Sequence, residues 1–418
     1  MKSEPGLPVL TGIGIVSPIG IGRSEFWAGL TEGRTGVRNI SLFDASSFPS
    51  KIAAEVIGFD ASPYLSRREL KSYPRQTQFA LVGLMLALGD AKLAALDPYR
   101  TDVVLGAAQI SSFYAIEEEI RKGSHALREH EPELDPFGVL KTTLSIPASA
   151  IAFRSGVKGY VSTLTSACTS GIDAIGAAAD RIRQGQADAV ITGGVDTPIT
   201  RIILNAFCAA RMLSTRNDEP QSALAPFDRS HTKSVLGEGA AILILEDKRR
   251  AIARGASIYC ELGRFAQEPE NTNELFSLDR SGTGWKRMLR NVLAEDGADS
   301  VEAINAHGPS DDLVDRVEAD VLRDVFGARL HKIPAVSIKG GIGSSMAAAG
   351  AMQVASAALM LKTGIIPPTR NYSNPDPDCA LNISAQVRRM KRPLGSVLVN
   401  AHGIGGMNSA ILLKRVKV

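Results

Sequence analysis

Little in this chain of 418 residues points to a metal, a disulfide frame, a nucleic acid or a membrane. Its four cysteines, at 168, 208, 260 and 379, are scattered without CxxC or Cys/His spacing, which argues against both disulfide scaffolding and a zinc site. Net charge is only +3, too small to imply nucleic-acid binding, though compatible with an acidic protein partner. The first eight residues lack a signal-peptide layout. The apolar run Val9–Ile21 is broken by Gly12, Gly14, Pro18 and Gly20, so it is neither a signal core nor a membrane span, and a cytoplasmic protein is expected. The same glycines do not make a dinucleotide fingerprint, because Ser17 stands where the third glycine of GxGxxG belongs. There is no low-complexity segment and no flexible linker. What is there is ordinary soluble composition, 44% hydrophobic and 22% charged, in a chain long enough for two or three domain-sized units.

Apolar β-branched runs alternate with helical stripes along the whole chain, which predicts an α/β layered fold with largely parallel sheets. Strands are expected near 9–16, 51–56, 102–107, 160–164, 187–194, 240–245, 258–265, 303–306, 335–338, 397–401 and 409–413. Helices are expected at 23–30 with Ser24 as a cap, and at 77–96, 112–122, 248–254, 285–294, 313–326 and 345–362. Residues 125–135 read as an acidic surface excursion and 267–284 as a loop. The alternation occurs twice, which divides the chain into a first half, residues 1–255, and a second, residues 256–418.

One stretch organises the rest. Tyr160 to Leu164 reads as a short buried strand, and Ile172, Ile175, Ala179 and Ile182 form a helical stripe just after it. Cys168 lies where strand becomes helix. Unpaired N–H groups and the helix dipole there favour a thiolate and could hold an oxyanion beside it. Taken alone, Cys168 still reads more readily as an inert thiol packed as a small hydrophobe. Three further Gly-rich turns follow apolar strands and change that reading: Asn305-Ala-His307-Gly-Pro, Ser337-Ile-Lys339-Gly-Gly-Ile-Gly-Ser344, and Asn400-Ala-His402-Gly-Ile404-Gly-Gly-Met-Asn408. Residues beyond the carboxyl ends of strands line the ligand crevice in α/β sheets. A thiol, two histidines and a lysine at equivalent strand ends suit acyl transfer: the thiol attacks, imidazole hydrogen-bonds the developing charge, and lysine orders the network.

The blocks SACTSG, PFDRSHTKSVLGEGAA, NAHGP, SIKGGIGSSMAAAGAM and NAHGIGGMNSAI resemble, in order, those of the β-ketoacyl-acyl-carrier-protein synthases, closest in tone to the ketosynthase and chain-length-factor subunits of type II polyketide systems. The opening, VLTGIGIVSPIGIG onward, is similar to the same family, so the resemblance covers almost the whole chain. It implies the thiolase fold, two βαβαβαββ halves in a five-layer αβαβα arrangement. It implies substrates carried on the phosphopantetheine of an acyl carrier protein, with no separate cofactor and no metal. It also implies a homodimer, or a heterodimer with a related subunit. Position by position, Cys168 matches the acyl-accepting nucleophile, His307 the histidine of the HGT block and Lys339 the lysine of the SxKxxxGH block. Glu318 matches the acidic neighbour of that lysine. The backbone N–H groups of Cys168 and Ile404 match the oxyanion hole, with Ile404 at the place of the gating phenylalanine.

The departures cluster. Ser344 replaces the second catalytic histidine, His402 replaces a usual phenylalanine, and the carrier-arm threonines are absent from a block that reads His307-Gly-Pro309-Ser310-Asp311. Pro309 and Asp311 therefore stand where the pantetheine arm is contacted. The 267–284 loop lacks the His- and Thr-bearing motif of elongating members. Three readings follow. The first is an enzyme that loads an acyl group on Cys168 and then transfers or cyclises it with malonyl decarboxylation impaired. The second is a conventional decarboxylating synthase in which His402 or water restores the missing function. The third is a non-catalytic partner like a chain-length factor, against which the retained Cys168, His307 and Lys339 count.

Overall fold

The computed structural model describes residues 6–93, 95–108, 136–270 and 278–416. Among the described residues eleven strands form the main sheet: Gly20–Ile21 pairs with the first strand, and the other ten are β1 Pro8–Ser17, β2 Thr101–Gly106, β3 Val161–Leu164, β4 Ala189–Asp196, β5 Gly239–Asp247, β6 Cys260–Pro269, β7 Ala303–Asn305, β8 Ala335–Val336, β9 Ser396–Gly403 and β10 Met407–Lys414. Six helices alternate with them: α1 Arg75–Ala91, α2 Ile146–Ser155, α3 Ser170–Arg183, α4 Thr283–Val292, α5 Asp312–Phe326 and α6 Ala347–Thr363. The chain order is thus β1α1β2α2β3α3β4β5 followed by β6α4β7α5β8α6β9β10. The lateral order repeats as well, β3-β2-β4-β5-β1 continuing into β6-β10-β9-β7-β8. The halves join where β1 pairs with β6, Val9 against Glu261 and Leu10 against Cys260.

Three apolar cores explain the layering. One lies under α1 and α2 on the first half-sheet, and another under α4 and α5 on the second. Between them a larger core encloses α3 and α6, which are buried on nearly every face. That is why α6 is rich in Ala and Met with little amphipathic stripe: a helix covered on all sides has no solvent face to mark. The two central helices cross closely at Gly171, where a Cβ would come within 2.1 Å of the Ala347 carbonyl oxygen.

Several expectations need correction. The sheet is mixed: strands run parallel only at its outer ends, and antiparallel from β4 through β1 and β6 to β9. β9 and β10 are joined by a tight hairpin, and the longer β4–β5 connection, which carries the helix Arg201–Ala209, returns the chain antiparallel beside β4. The strand expected to be buried, β3, is instead an edge strand; Tyr160 just before it is 49% and Val161 39% exposed. The helix Arg23–Thr31 is capped at Gly22 without a side-chain bond, not by Ser24, which lies inside its first turn. The loop expected from 267 begins only after Pro269, because Gln267 to Pro269 complete β6 opposite Met407 to Ser409. The helix expected at 112–122 and the excursion at 125–135 lie outside the described residues. Among the described residues, no helix is long and apolar enough to cross a membrane.

Candidate active site

Cys168 sits in a 3-10 turn, Ala167–Thr169, between β3 and α3. The turn is tight: Ala167 has φ +56°, a strained value for a residue with a Cβ, costing roughly 1–3 kcal/mol. Its geometry is fixed from both sides. The Ser170 hydroxyl donates to the Ala167 carbonyl at 2.6 Å and accepts from Ser166 N–H at 2.8 Å. Asp173, one turn into α3, accepts from Thr169 at 3.0 Å and from Gln267 of β6 at 2.7 Å, and also from Ser409 of β10.

The sulfur faces Met346 Sδ at 3.7 Å, and Met346 is itself at φ +49° where α6 begins. Asp196, at the buried end of β4, fixes that end of α6 by accepting Ala347 N–H at 2.8 Å. Backbone N–H groups of Ile404 and of Cys168 itself point at the sulfur and favour its charge. Gly403 allows this approach, since a Cβ there would meet Ser166 O at 3.0 Å and Cys168 N at 3.4 Å. The expectation of a favoured thiolate does not hold in the free protein. Burial pushes the thiol pKa up, outweighing the nearby Lys339 charge and the two N–H groups.

His307 and Lys339 meet. Lys339 Nζ lies 2.8 Å from His307 Nδ1 and 3.4 Å from Nε2, so the lysine sits against the imidazole and nearer Nδ1. Both residues are almost wholly buried. Burial first, then the Lys339 and His402 charges, hold His307 well below its ordinary value, so the ring is neutral. Burial lowers Lys339 to about 8, although the charges of Cys168 and Glu318 support it. Glu318 does not bond the lysine. Its carboxylate accepts the N–H groups of His307 at 2.7 Å and Gly308 at 2.8 Å, so it shapes the turn and acts on Lys339 through charge; burial raises it to about 7.

His402 stands at the end of β9 and stacks on Trp285 of α4, ring centroids 5.2 Å apart at 17°. Trp285 is fixed by its own N–H to Asn400 Oδ1 at 3.1 Å. His402 Nδ1 lies 3.0 Å from Asn408 Oδ1 and 3.7 Å from Glu270 Oε1. The two imidazoles approach edge to face, with centroids 6.2 Å apart. Burial lowers the His402 pKa, against the opposing influence of Glu270 and Asn408.

Cys168, His307, Ser344, His402, Ile404, Pro309 and Asp311 all line one cavity of about 350 Å³, within the ordinary range for small-molecule sites. Phe207, Met212, Leu213, Leu236 and Leu313 supply its apolar wall. Ser344 is held there by backbone, its N–H on Val235 O at 2.8 Å. Asp311 is occupied otherwise: it caps α5 through Leu313 and Val314 N–H and pairs with Lys233 at 2.9 Å. Lys339 and Glu318 stand behind His307. Sequence reasoning missed Trp285, Asn408, Glu270 and Met346. For Asn408 the signal was present, because a hairpin turning at Ile404 to Gly406 places Asn408 directly across from His402.

A neutral imidazole, a buried thiol and two converging N–H groups thus meet at one cavity at the carboxyl ends of the strands of a thiolase-type fold. Residues 9–251 match the beta-ketoacyl synthase N-terminal domain and residues 259–373 the C-terminal domain. The chain belongs to the β-ketoacyl synthase family. It is 37% identical over 417 residues to a tetracenomycin polyketide synthase ketoacyl synthase alpha subunit from Streptomyces glaucescens, covering 98% of this chain and 97% of that protein. It is 34% identical over 412 residues to a 3-oxoacyl-[acyl-carrier-protein] synthase 2 from Coxiella burnetii, covering 98% of each. Among solved structures it resembles a type II PKS acyl-carrier protein in complex with its ketosynthase bound to the hexaketide, at TM-score 0.90 and 30% identity, over 99% of this chain and 100% of that one. It also resembles the ishigamide ketosynthase/chain length factor, at TM-score 0.90 and 28% identity, over 99% and 100%.

Proposed function

We propose that this protein takes an acyl group from the phosphopantetheine arm of an acyl carrier protein onto Cys168 and then transfers or cyclises it, with malonyl decarboxylation slow or absent. The observation that carries this reading is the pair of opposite imidazoles in the Cys168 cavity. Decarboxylation needs donors aimed at the thioester oxygen as charge grows on it. His307 can present a ring N–H. Ser344 stands where the family resemblance puts the second imidazole, and His402 does not substitute for it, because Asn408 Oδ1 and the Glu270 carboxylate both face its Nδ1, which draws the proton there and leaves Nε2 a lone pair. A lone pair repels a carbonyl oxygen. Roles follow: Cys168 as nucleophile, the Cys168 and Ile404 N–H groups as oxyanion hole, His307 as donor, and Lys339 and Glu318 as its supports. Pro309 and Asp311 border the arm without offering it a free hydroxyl. The division at 255/256 is taken as the boundary between the half carrying the nucleophile and the half carrying the histidines.

Trypsin mapping after incubation with an acyl carrier is expected to put the acyl mass on the Cys168 peptide alone. Labelling at Cys208, Cys260 or Cys379 instead would contradict the assignment. Burial raises the thiols of Cys260 and Cys379 strongly, which makes them poor competitors.

The β3 edge supports the expected dimer, as homodimer or with a related subunit. A strand edge unpaired among the described residues and flanked by exposed Tyr160 and Phe153 is a surface that proteins ordinarily cover. Sedimentation at micromolar concentration is expected to show a dimer; a fully active monomer would contradict it.

A further inference from the structure

We propose that His402 is a general base, positioned by Asn408 and Glu270, that activates a hydroxyl-bearing acceptor or water for attack on the Cys168 acyl thioester, so the chain leaves as an ester or acid. This rests on acyl loading at Cys168 and names the second half-reaction that follows it.

Tautomer and direction set the role of His402. Two acceptors face His402 Nδ1: Asn408 Oδ1 at 3.0 Å and Glu270 Oε1 at 3.7 Å. Asn408 is held opposite by hairpin register. The Glu270 side chain is fully buried; its Oε2 accepts Asp279 N–H at 2.8 Å, while Oε1 has no hydrogen-bond partner among the described residues and lies 3.7 Å from the ring nitrogen. With the amide of Asn408 turned either way, a carboxylate can only attract a proton to Nδ1. That leaves Nε2 as the basic nitrogen of a ring that lines the Cys168 cavity. Stacking on Trp285 fixes the ring plane. His307 differs, since the group beside its ring nitrogens is the Lys339 ammonium, a donor, rather than a carboxylate. One cavity therefore holds a proton donor and a proton acceptor beside the same thiol. A thiol nucleophile, an imidazole base and an amide that orients the imidazole recur on unrelated folds.

The step balances without a further reactant. The acceptor O–H gives its proton to His402 Nε2 as its oxygen bonds to the acyl carbon. The resulting oxyanion sits on the Cys168 and Ile404 N–H groups. Collapse breaks the C–S bond, and the proton passes from Nε2 to sulfur, leaving an ester, or an acid when water attacks, and a free thiol. The charged and titratable groups facing the ring are Glu270, which favours its protonation, and Lys339 and His307, which disfavour it. Burial adds to the latter, so the ring is neutral and ready to accept a proton near pH 7.

The test follows release from preloaded protein. Unmodified protein, His402→Phe and His402→Gln are acylated with octanoyl-pantetheine and freed of excess reagent. Loss of the Cys168 adduct is timed by intact mass, in buffer alone and with 1-butanol. Release per acylated Cys168 is expected to be about 10²- to 10⁴-fold slower in both variants, as for loss of a general base. Butyl octanoate marks a hydroxyl acceptor and octanoate alone marks water. Asn408→Asp keeps an acceptor on Nδ1 and is expected to move the release-rate pH profile upward, whereas Asn408→Ala slows release without that shift. Equal release rates in unmodified protein and both His402 variants would overturn the assignment. Absence of any Cys168 adduct in the unmodified protein would instead overturn the loading reading, and the assignment with it.

Discussion

Cys168→Ala is expected to abolish acyl-enzyme formation, with no adduct detectable by intact mass after incubation with acyl carrier. Fold and oligomeric state should be unchanged, because the side chain is small and Ala removes only the sulfur from a pocket formed by Met346, Leu213 and Leu236. Cys208 packs against the same apolar cluster as Cys168 but does not line the cavity. Cys260 lies in β6 within the central core and Cys379 in the core under α5, away from the cavity. A stable adduct of the same mass on the Ala variant would mean that the nucleophile has been misassigned.

The next largest effect belongs to the His307–Lys339 pair. His307→Ala removes the donor that meets developing charge, and Lys339→Met removes the ammonium that sits against its ring. Each is expected to lower turnover by on the order of a hundredfold or more, about 3 kcal/mol of barrier. Stability should respond differently. Lys339 titrates at about 8 in the folded chain against an ordinary 10.5, so between those values the unfolded chain binds more protons and stability rises with pH. Below pH 8 the buried ammonium costs stability. Lys339→Met should therefore leave the melting temperature at pH 7 unchanged or raise it while activity falls. A large loss of melting temperature with activity retained would make both residues structural.

The fold was legible where periodicity is strong. The stripe Ile172, Ile175, Ala179 and Ile182 lies on the buried α3, and the repeated alternation appears as two βαβαβαββ halves with the same lateral order. Strand direction was not legible, since an apolar run looks alike in parallel and antiparallel pairing. Neither was the exposure of β3, which depends on its place at the sheet edge rather than on its own residues. Within the site, the four Gly-rich turns marked Cys168, His307, Lys339, Ser344 and His402. What could not be read was electrostatics. The helix terminus suggested a thiolate, but burial of Cys168 outweighs the Lys339 charge and the two N–H groups together. Trp285, 117 residues before His402 in the chain, reaches it only through packing of α4 on the second half-sheet.

The most direct measurement follows acyl loading and carbon dioxide release together, with malonyl-carrier supplied to the octanoylated protein. The account predicts stoichiometric loading at Cys168 with carbon dioxide release slower by on the order of a hundredfold, the effect of one missing donor on the thioester oxygen. Ser344→His should restore part of that release, because it returns a second imidazole to the cavity wall beside His307. Carbon dioxide released by the unmodified protein as fast as Cys168 is loaded would contradict the account and return the protein to ordinary decarboxylative elongation.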